Sequence, residues 1–429
     1  MMASSVILVV LFISVLIIFH EFGHLIVAKL AKIPVEAFSI GFGPVILKRK
    51  FQETEYRLSL VPLGGYIKMV GEEVQGPKTE SVPPGLGFQD KPLGIRVAVI
   101  AAGPVSNLLL GFLLMFLMYI IFGVKFLAPV VEPSPGSVAA RIGVLQGDRI
   151  IAAAGETIPS FDRLERLLVQ NAGREINLTV VRDGERIQFS YPVPKESLEI
   201  QPLLRPVIDR VRKGSPAARL GLLPGDTVLA IGGKPVRRWD DLVNTVIANA
   251  GTRIAITWKR GSRVFSDSIT PAVERDQLSE ERIGQIGVWV RLPKRSLPIY
   301  TAVWEALRRT GFVVVQTFVI LYKVITRQIS TRAIGGPIMV AKVAYEGASW
   351  GTEYFLALWA LLSINLFVVN MLPIPVLDGG RILLDLFGGI RRRRLSEKEV
   401  AWAANIGWAL IGMLVIFTIF NDLLRLVRK

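Results

Sequence analysis

The chain alternates between long apolar stretches and polar segments. From Val6 to Phe19 no residue is charged and only Ser14 is polar, and the apolar run continues with interruptions to Leu30. Val97 to Val124 is free of charge between Arg96 and Lys125, and Tyr354 to Leu372 and Ala401 to Phe420 are equally uncharged. Each is close to the roughly 20 residues with which a helix crosses the hydrocarbon layer, so the pattern predicts about four transmembrane helices. Ile299 to Arg327 differs. Its uncharged part, between Arg309 and Lys323, is too short to span comfortably, and Arg308 and Arg309 suit an amphipathic helix lying at the interface.

Between the second and third apolar stretches the sequence repeats itself at a distance of 78 residues. Gly136, Ser137, Ala140, Arg141, Gly143, Gly147 and Asp148 return as Gly214, Ser215, Ala218, Arg219, Gly221, Gly225 and Asp226. Alternating apolar positions follow each Gly-Asp pair, at Arg149 to Ala152 and Thr227 to Ile231, and a helical stretch begins at Asp162 or Asp240. Each copy reads as a small α+β domain. A period this long is a domain duplication rather than a solenoid.

The expected architecture is a polytopic α-helical membrane protein interrupted by two β-rich domains. Its segments are 1–32, the first span; 33–96, a polar loop; 97–124, the second span; 125–198 and 199–276, the two repeats; 277–353, a linker with interfacial helices; 354–380, the third span; 381–400, a basic loop; and 401–429, the fourth span with the C-terminus. The loop holding Lys48, Arg49, Lys50, Arg57, Lys68, Lys78 and Lys91, and the run Arg391 to Arg394, are short and basic. The positive-inside rule places both in the cytoplasm and the repeats outside; long translocated domains largely escape that rule.

Composition narrows the classes. Hydrophobic residues make up 51% and the mean hydropathy is +0.46, values that fit a mixture of spans and water-facing domains. The formal net charge of +16 comes without a recognisable nucleic-acid module, so the acidic neighbour expected is a membrane surface. No cysteine is present, which excludes disulfides and thiolate metal ligands. No Lys or Arg precedes the first apolar run, and no small-residue cleavage site follows it, so it reads as a retained anchor rather than a signal peptide.

The candidate chemistry lies where the first apolar run is interrupted. His20 and His24 are the only histidines in the chain, and Glu21 follows the first. This is HExxH. On a helix, residues four apart share a face, so both imidazoles reach one Zn²⁺ while the glutamate stands beside a water on the metal. Ionisable groups inside a span are costly and point to function; the alternative is a pair of satisfied polar residues in a buried helix.

Asp378 supplies the missing ligand. It follows Asn370, Pro373 and Pro375 at the end of the third span, in a run whose prolines unwind the helix, and precedes Gly379 and Gly380. Taken alone, the run also reads as an ordinary turn. Two His and one Asp leave a fourth position open for water, as in catalytic zinc sites. The histidines and Asp378 share a membrane depth only if the first and third spans run in the same direction. That requires Val97 to Val124 to cross and Ile299 to Arg327 not to.

HEFGH in the first span, the Asn-x-x-Pro-x-Pro-x-Leu-Asp-Gly run, the tandem repeats, and Gly103-Pro104-x-x-Asn107 in the second span together resemble the site-2 protease family. The match is to its RseP-type branch and covers essentially the whole chain. The repeats are similar to PDZ domains, which bind peptides by adding a strand to a sheet edge; a spacer crowding the entrance is the alternative. The resemblance implies Zn²⁺ on His20, His24 and Asp378, with Glu21 as the catalytic base. It implies that Asn370, Pro373 and Pro375 hold the substrate strand. Arg57 to Met69 resembles the family's membrane-reentrant β-hairpin, so Leu58, Leu60, Val61, Gly64 and Gly65 are candidates for substrate binding; a surface hairpin is the alternative.

Small residues permit close helix approach and Asn hydrogen-bonds across it, so Gly103 and Asn107 are expected to be structural. The function implied is hydrolysis of transmembrane segments in single-span proteins, such as a pre-trimmed anti-sigma factor or remnant signal peptides, in a bacterial inner membrane. The PDZ-like domains would lie outside and the active site towards the cytoplasmic half. The expected partners are these substrates, peptide or protein ligands of the PDZ-like domains, and the bilayer, with no nucleic acid. The rival reading is a membrane-anchored PDZ scaffold with a non-catalytic metal site. A metal transporter would require more polar residues across several spans.

Overall fold

The structure, a computed structural model, describes residues 2–72, 85–195, 199–275, 282–328, 336, 338–340, 343, 347, 350–391, 393 and 395–427. Lys78, much of the expected linker between 329 and 349, and Arg392 and Arg394 of the basic run lie outside the described residues. The chain divides into two units, Met1–Phe122 with Leu297–Lys429, and Gly123–Ser296.

The first unit is mainly helical: α1 Met2–Leu30, α2 Leu93–Phe122, α7 Ile299–Ile325, α8 Thr352–Asn370, α9 Asp378–Ile390 and α10 Glu397–Val427. Among the described residues, four windows are long and apolar enough to cross a membrane: Ile13–Leu30, Leu93–Phe122, Thr352–Asn370 and Lys398–Leu424. The long helix α7 is not among them. It packs against α2 and α8 and leaves Tyr300 and Trp304 exposed.

Small residues let these helices meet closely. A Cβ on Gly23 of α1 would lie 2.3 Å from the Ala102 carbonyl of α2, and one on Gly111 of α2 would lie 2.5 Å from Ile364 of α8. Ser363 of α8 donates to the Asn107 carbonyl at 2.7 Å. Side-chain packing and buried polar contacts of this kind replace the hydrophobic drive that lipid cannot supply between helices.

Two long antiparallel strands, β1 Val35–Phe51 and β2 Thr54–Met69, follow α1. The stretch Arg57 to Met69, expected to form a hairpin by itself, instead lies wholly in β2, and both its halves pair with β1. Residues 37–40 pair with 65–68 on one side and with 55–58 on the other, and 48–51 pair with 54–57 beyond them. The bends need positive φ, which Gly41, Gly43 and Gly64 supply. Leu58 is consequently paired on both sides, with Ile40 and Leu47. Residues 65–69 form an outer edge with no further strand beside it among the described residues.

The second unit contains the duplication. Each copy has a four-stranded antiparallel sheet. One runs in the order Glu156–Thr157, Arg149–Ala153, Glu175–Arg182, Glu185–Pro192, and the other Lys234–Pro235, Thr227–Ile231, Ile254–Arg260, Arg263–Ile269. The helices α3 Val138–Arg141 and α4 Phe161–Gln170 belong to the first copy, α5 Pro216–Arg219 and α6 Trp239–Ala248 to the second. A separate apolar core fills each.

The structure explains the repeated letters. Ser137 and Ser215 cap α3 and α5 by accepting from Ala140 and Ala218 amides. Asp148 and Asp226 are buried, and each accepts a two-pronged guanidinium, from Arg182 or Arg260, which also reaches the carbonyl of Gly143 or Gly221. Burial pushes the Asp226 carboxyl up, but the hydrogen bonds from Arg260 and the Leu223 amide outweigh it and hold it below its ordinary value. The closing strands fall later than the expected boundaries at 198 and 276: Ile200–Pro202 returns to pair with Val131–Pro133, and Val288–Val290 with Ile208–Val211.

Candidate metal centre

The helix α1 presents His20 and His24 one turn apart, both buried. Their Nε2 atoms are 3.3 Å apart, with the rings nearly perpendicular at 81°. Asp378 is the first residue of α9, and its Oδ2 lies 3.0 Å from His20 Nε2 and 3.7 Å from His24 Nε2. The expected convergence of the first and third apolar segments is therefore present in the geometry.

The bend that delivers Asp378 is built tightly. Residues after Asn370 leave the helix at Met371 and fold over the start of α9. A Cβ on Gly379 would lie 2.3 Å from the Met371 carbonyl, and one on Gly380 would lie 2.0 Å from that of Ile374. Only glycine fits at both positions, which gives the Leu-Asp-Gly-Gly run its physical reason. Two charge pairs fasten α9 elsewhere: Arg381 to Glu72 just beyond β2, and Asp385 to Arg96 in the first turn of α2 at 3.1 Å.

These residues fit zinc. Bonds of about 2.1 Å in a tetrahedron separate ligand atoms by about 3.4 Å, and the three distances bracket that value. The donor set is all N and O, as a chain without cysteine requires. His24 Nδ1 lies 2.8 Å from the Val99 carbonyl, so that ring keeps its proton on Nδ1 and turns a free Nε2 towards the cluster. No other group of three such side chains is close enough to share an ion among the described residues.

Glu21 stands next to this cluster, within electrostatic reach of His24, His20 and Asp378. The outer edge of the folded sheet reaches the same place, where a Cβ on Gly65 would lie 3.2 Å from Glu21 Cγ. Gly64 packs under the Phe42 ring. Leu58, Leu60 and Val61 all have exposed side chains, and the backbone of Leu58 is paired on both sides. Asn370, the last residue of α8, brings its Nδ2 to 3.5 Å from His20 Nδ1. Pro373 and Pro375 lie in the bend, with Pro373 exposed.

From the sequence, Gly103 and Asn107 of α2 have only a structural part. In the structure Val99, Gly103 and Asn107, at successive intervals of four, form one stripe against the two imidazoles: a carbonyl on His24, a gap occupied by its ring, and an amide at His20. The i, i+4, i+8 spacing was readable. What each position offers the histidines was not.

The model of peptidase family M50 matches residues 8–414. The chain belongs to that family. It is 32% identical over 441 residues to the regulator of sigma-E protease RseP of Salmonella typhimurium, covering 96% of this chain and 97% of the relative. It is 34% identical over 443 residues to that of Escherichia coli, with the same coverage. A relative from Vibrio cholerae, 31% identical over 96% of this chain and 97% of its own length, carries the name of a zinc metalloprotease. The solved PDZ domain of an SdrC-like protein from Listeria monocytogenes matches 20% of this chain and 84% of its own at 19% identity, with a TM-score of 0.17. The protein is a zinc metalloprotease of the M50 family with four candidate membrane helices and a tandem β-rich repeat.

Proposed function

We propose that this peptidase is an intramembrane endopeptidase of a bacterial inner membrane, cutting the transmembrane segments of single-span proteins. Pre-trimmed anti-sigma factors and remnant signal peptides are substrates of this kind. The observation that carries the reading is the position of the ligand cluster: two ligands and Glu21 sit within the apolar window Ile13–Leu30, and the third follows the window ending at Asn370.

His20, His24 and Asp378 hold the metal, and bound zinc supplies Lewis acidity that makes water nucleophilic near neutral pH. Glu21 takes a proton from the attacking water and delivers it to the leaving amide nitrogen. A transmembrane helix hides its peptide bonds in internal hydrogen bonds, so the substrate must unwind first. The unwound segment pairs with the outer edge at residues 65–69, with Gly64 and Gly65 at the catalytic end, and Asn370, Pro373 and Pro375 bound it from the other side. Leu60 and Val61 contact its apolar side chains. Leu58, whose side chain is exposed although its backbone is paired on both sides, does the same.

Purified protein in detergent is expected to cut a single-span substrate within its apolar segment, to stop on chelation and to recover with zinc. Failure with a panel of such substrates, at full zinc occupancy, removes the reading. The scaffold alternative predicts that failure.

The PDZ-like repeats face the extracytoplasmic side, bind peptide ends, and delay substrates that still carry a bulky external domain. They are inserted between α2 and α7, and both helices belong to the unit that holds the metal site. Deleting residues 130–275 should let the enzyme cut an untrimmed substrate. An unchanged preference for trimmed substrate, seen by gel analysis of both forms, counts against a delaying role.

A further inference from the structure

We propose that Asn107 is a positioning residue that sets the tautomer of His20, its side-chain oxygen accepting a hydrogen bond from Nδ1–H and leaving Nε2 free for the metal. The inference rests on the zinc site described above and concerns how the chain prepares one of its ligands.

A neutral imidazole carries one proton, and a metal takes the nitrogen without it. For His24 the choice is made by the Val99 carbonyl, which can only accept. For His20 the neighbour at Nδ1 is the fully buried carboxamide of Asn107, placed with its Nδ2 3.2 Å away. A carboxamide has two ends, and oxygen and nitrogen exchange places on a half-turn of the group.

With the NH₂ end towards Nδ1, that nitrogen must be the acceptor, and the ring proton moves to Nε2. It then points at Asp378 Oδ2, 3.0 Å away, and at His24 Nε2, 3.3 Å away, and blocks ligation. With the oxygen end towards Nδ1, the proton stays on Nδ1 and Nε2 is a ligand. The other end of the amide does not decide the matter, because in the first orientation Oδ1 has no partner. The imidazole and its metal therefore select the oxygen-inward orientation.

The surroundings fix the group where this choice matters. The Asn107 carbonyl accepts from Ser363 of α8, and its position is one turn beyond Gly103, whose missing side chain makes room for the His24 ring. One face of α2 thus supplies an acceptor to each histidine, from backbone for one and side chain for the other. Asn370 approaches the same nitrogen at the longer distance of 3.5 Å and belongs to the substrate side of the site.

The test is zinc affinity of the full-length purified chain, measured by competition with a chromophoric chelator, beside the thermal unfolding of the metal-free form. Wild type binding one zinc per chain, with loss in His20→Ala, checks the underlying metal reading separately. Asn107→Leu keeps the shape and removes the acceptor, and should weaken zinc about 10–100-fold with the metal-free unfolding midpoint unchanged. Asn107→Asp presents only acceptors and should stay within a few-fold of wild type. An Asn107→Leu protein that binds zinc as wild type overturns the proposal. So does an Asn107→Asp protein weakened tenfold or more, since that result identifies the NH₂ as the required end; this second variant decides the question should the first not fold.

Discussion

Glu21→Gln is expected to bind one zinc per chain as tightly as wild type while its turnover of a single-span substrate falls by about 10²–10⁴-fold. Glutamine keeps the size and the helical preference of glutamate but cannot take a proton at neutral pH. In the proposed reading the ligands are His20, His24 and Asp378, so the substitution leaves every ligand atom in place. The neighbouring contact with Gly65 tolerates it, because glutamine has the same Cγ. Zinc content by elemental analysis and product formation by mass spectrometry separate the possible results. Loss of zinc would make Glu21 a ligand rather than a base. Undiminished turnover would require another base, and Glu72, a carboxylate within electrostatic reach that is not one of the proposed ligands, would be examined first by Glu72→Gln. That residue pairs with Arg381, and the pair holds α9 rather than a reacting atom.

The residues of the candidate centre were legible because their chemistry is local in the sequence. HExxH declares its own geometry on any helix, and two prolines before Asp378 announce a break in the third apolar run. The duplication was legible from spaced Gly, Ser and Asp, whose roles as caps, turns and arginine acceptors are made within a few residues or within one repeat. What stayed hidden depends on distant pairing. Nothing in Val35 to Met69 states that two long strands fold back so that Leu58 is paired on both sides and Gly65 reaches Glu21, because pairing partners are set by bends at Gly41, Gly43 and Gly64 and not by alternation alone. Val99 was invisible for a different reason. It acts through its carbonyl, which every residue possesses.

Gly103→Ala tests the stripe on α2 at its tightest point and should cost both zinc and activity. A Cβ there would lie 2.1 Å from His24 Nε2, 2.5 Å from Cε1 and 2.7 Å from Cδ2. These are atoms of a rigid ring, and the nearest is the nitrogen that faces Asp378 and His20 and is the proposed ligand atom, so the ring must rotate or α1 must move away from α2. Rotation breaks the 2.8 Å contact with the Val99 carbonyl, and separation breaks the close approach at Gly23. Either way a ligand is misplaced. Because this displaces a ligand itself, zinc affinity should fall by at least the roughly 10–100-fold typical of damage to a ligand's supporting contact. Alanine favours a helix over glycine by about 1 kcal/mol, so a loss cannot be ascribed to weakened helix propensity. Gly94→Ala in the first turn of the same helix is the control, since a Cβ there meets nothing within 4 Å and should leave zinc and turnover unchanged. If Gly103→Ala binds zinc as tightly as Gly94→Ala, the packing of α2 against His24 is not what holds that ligand.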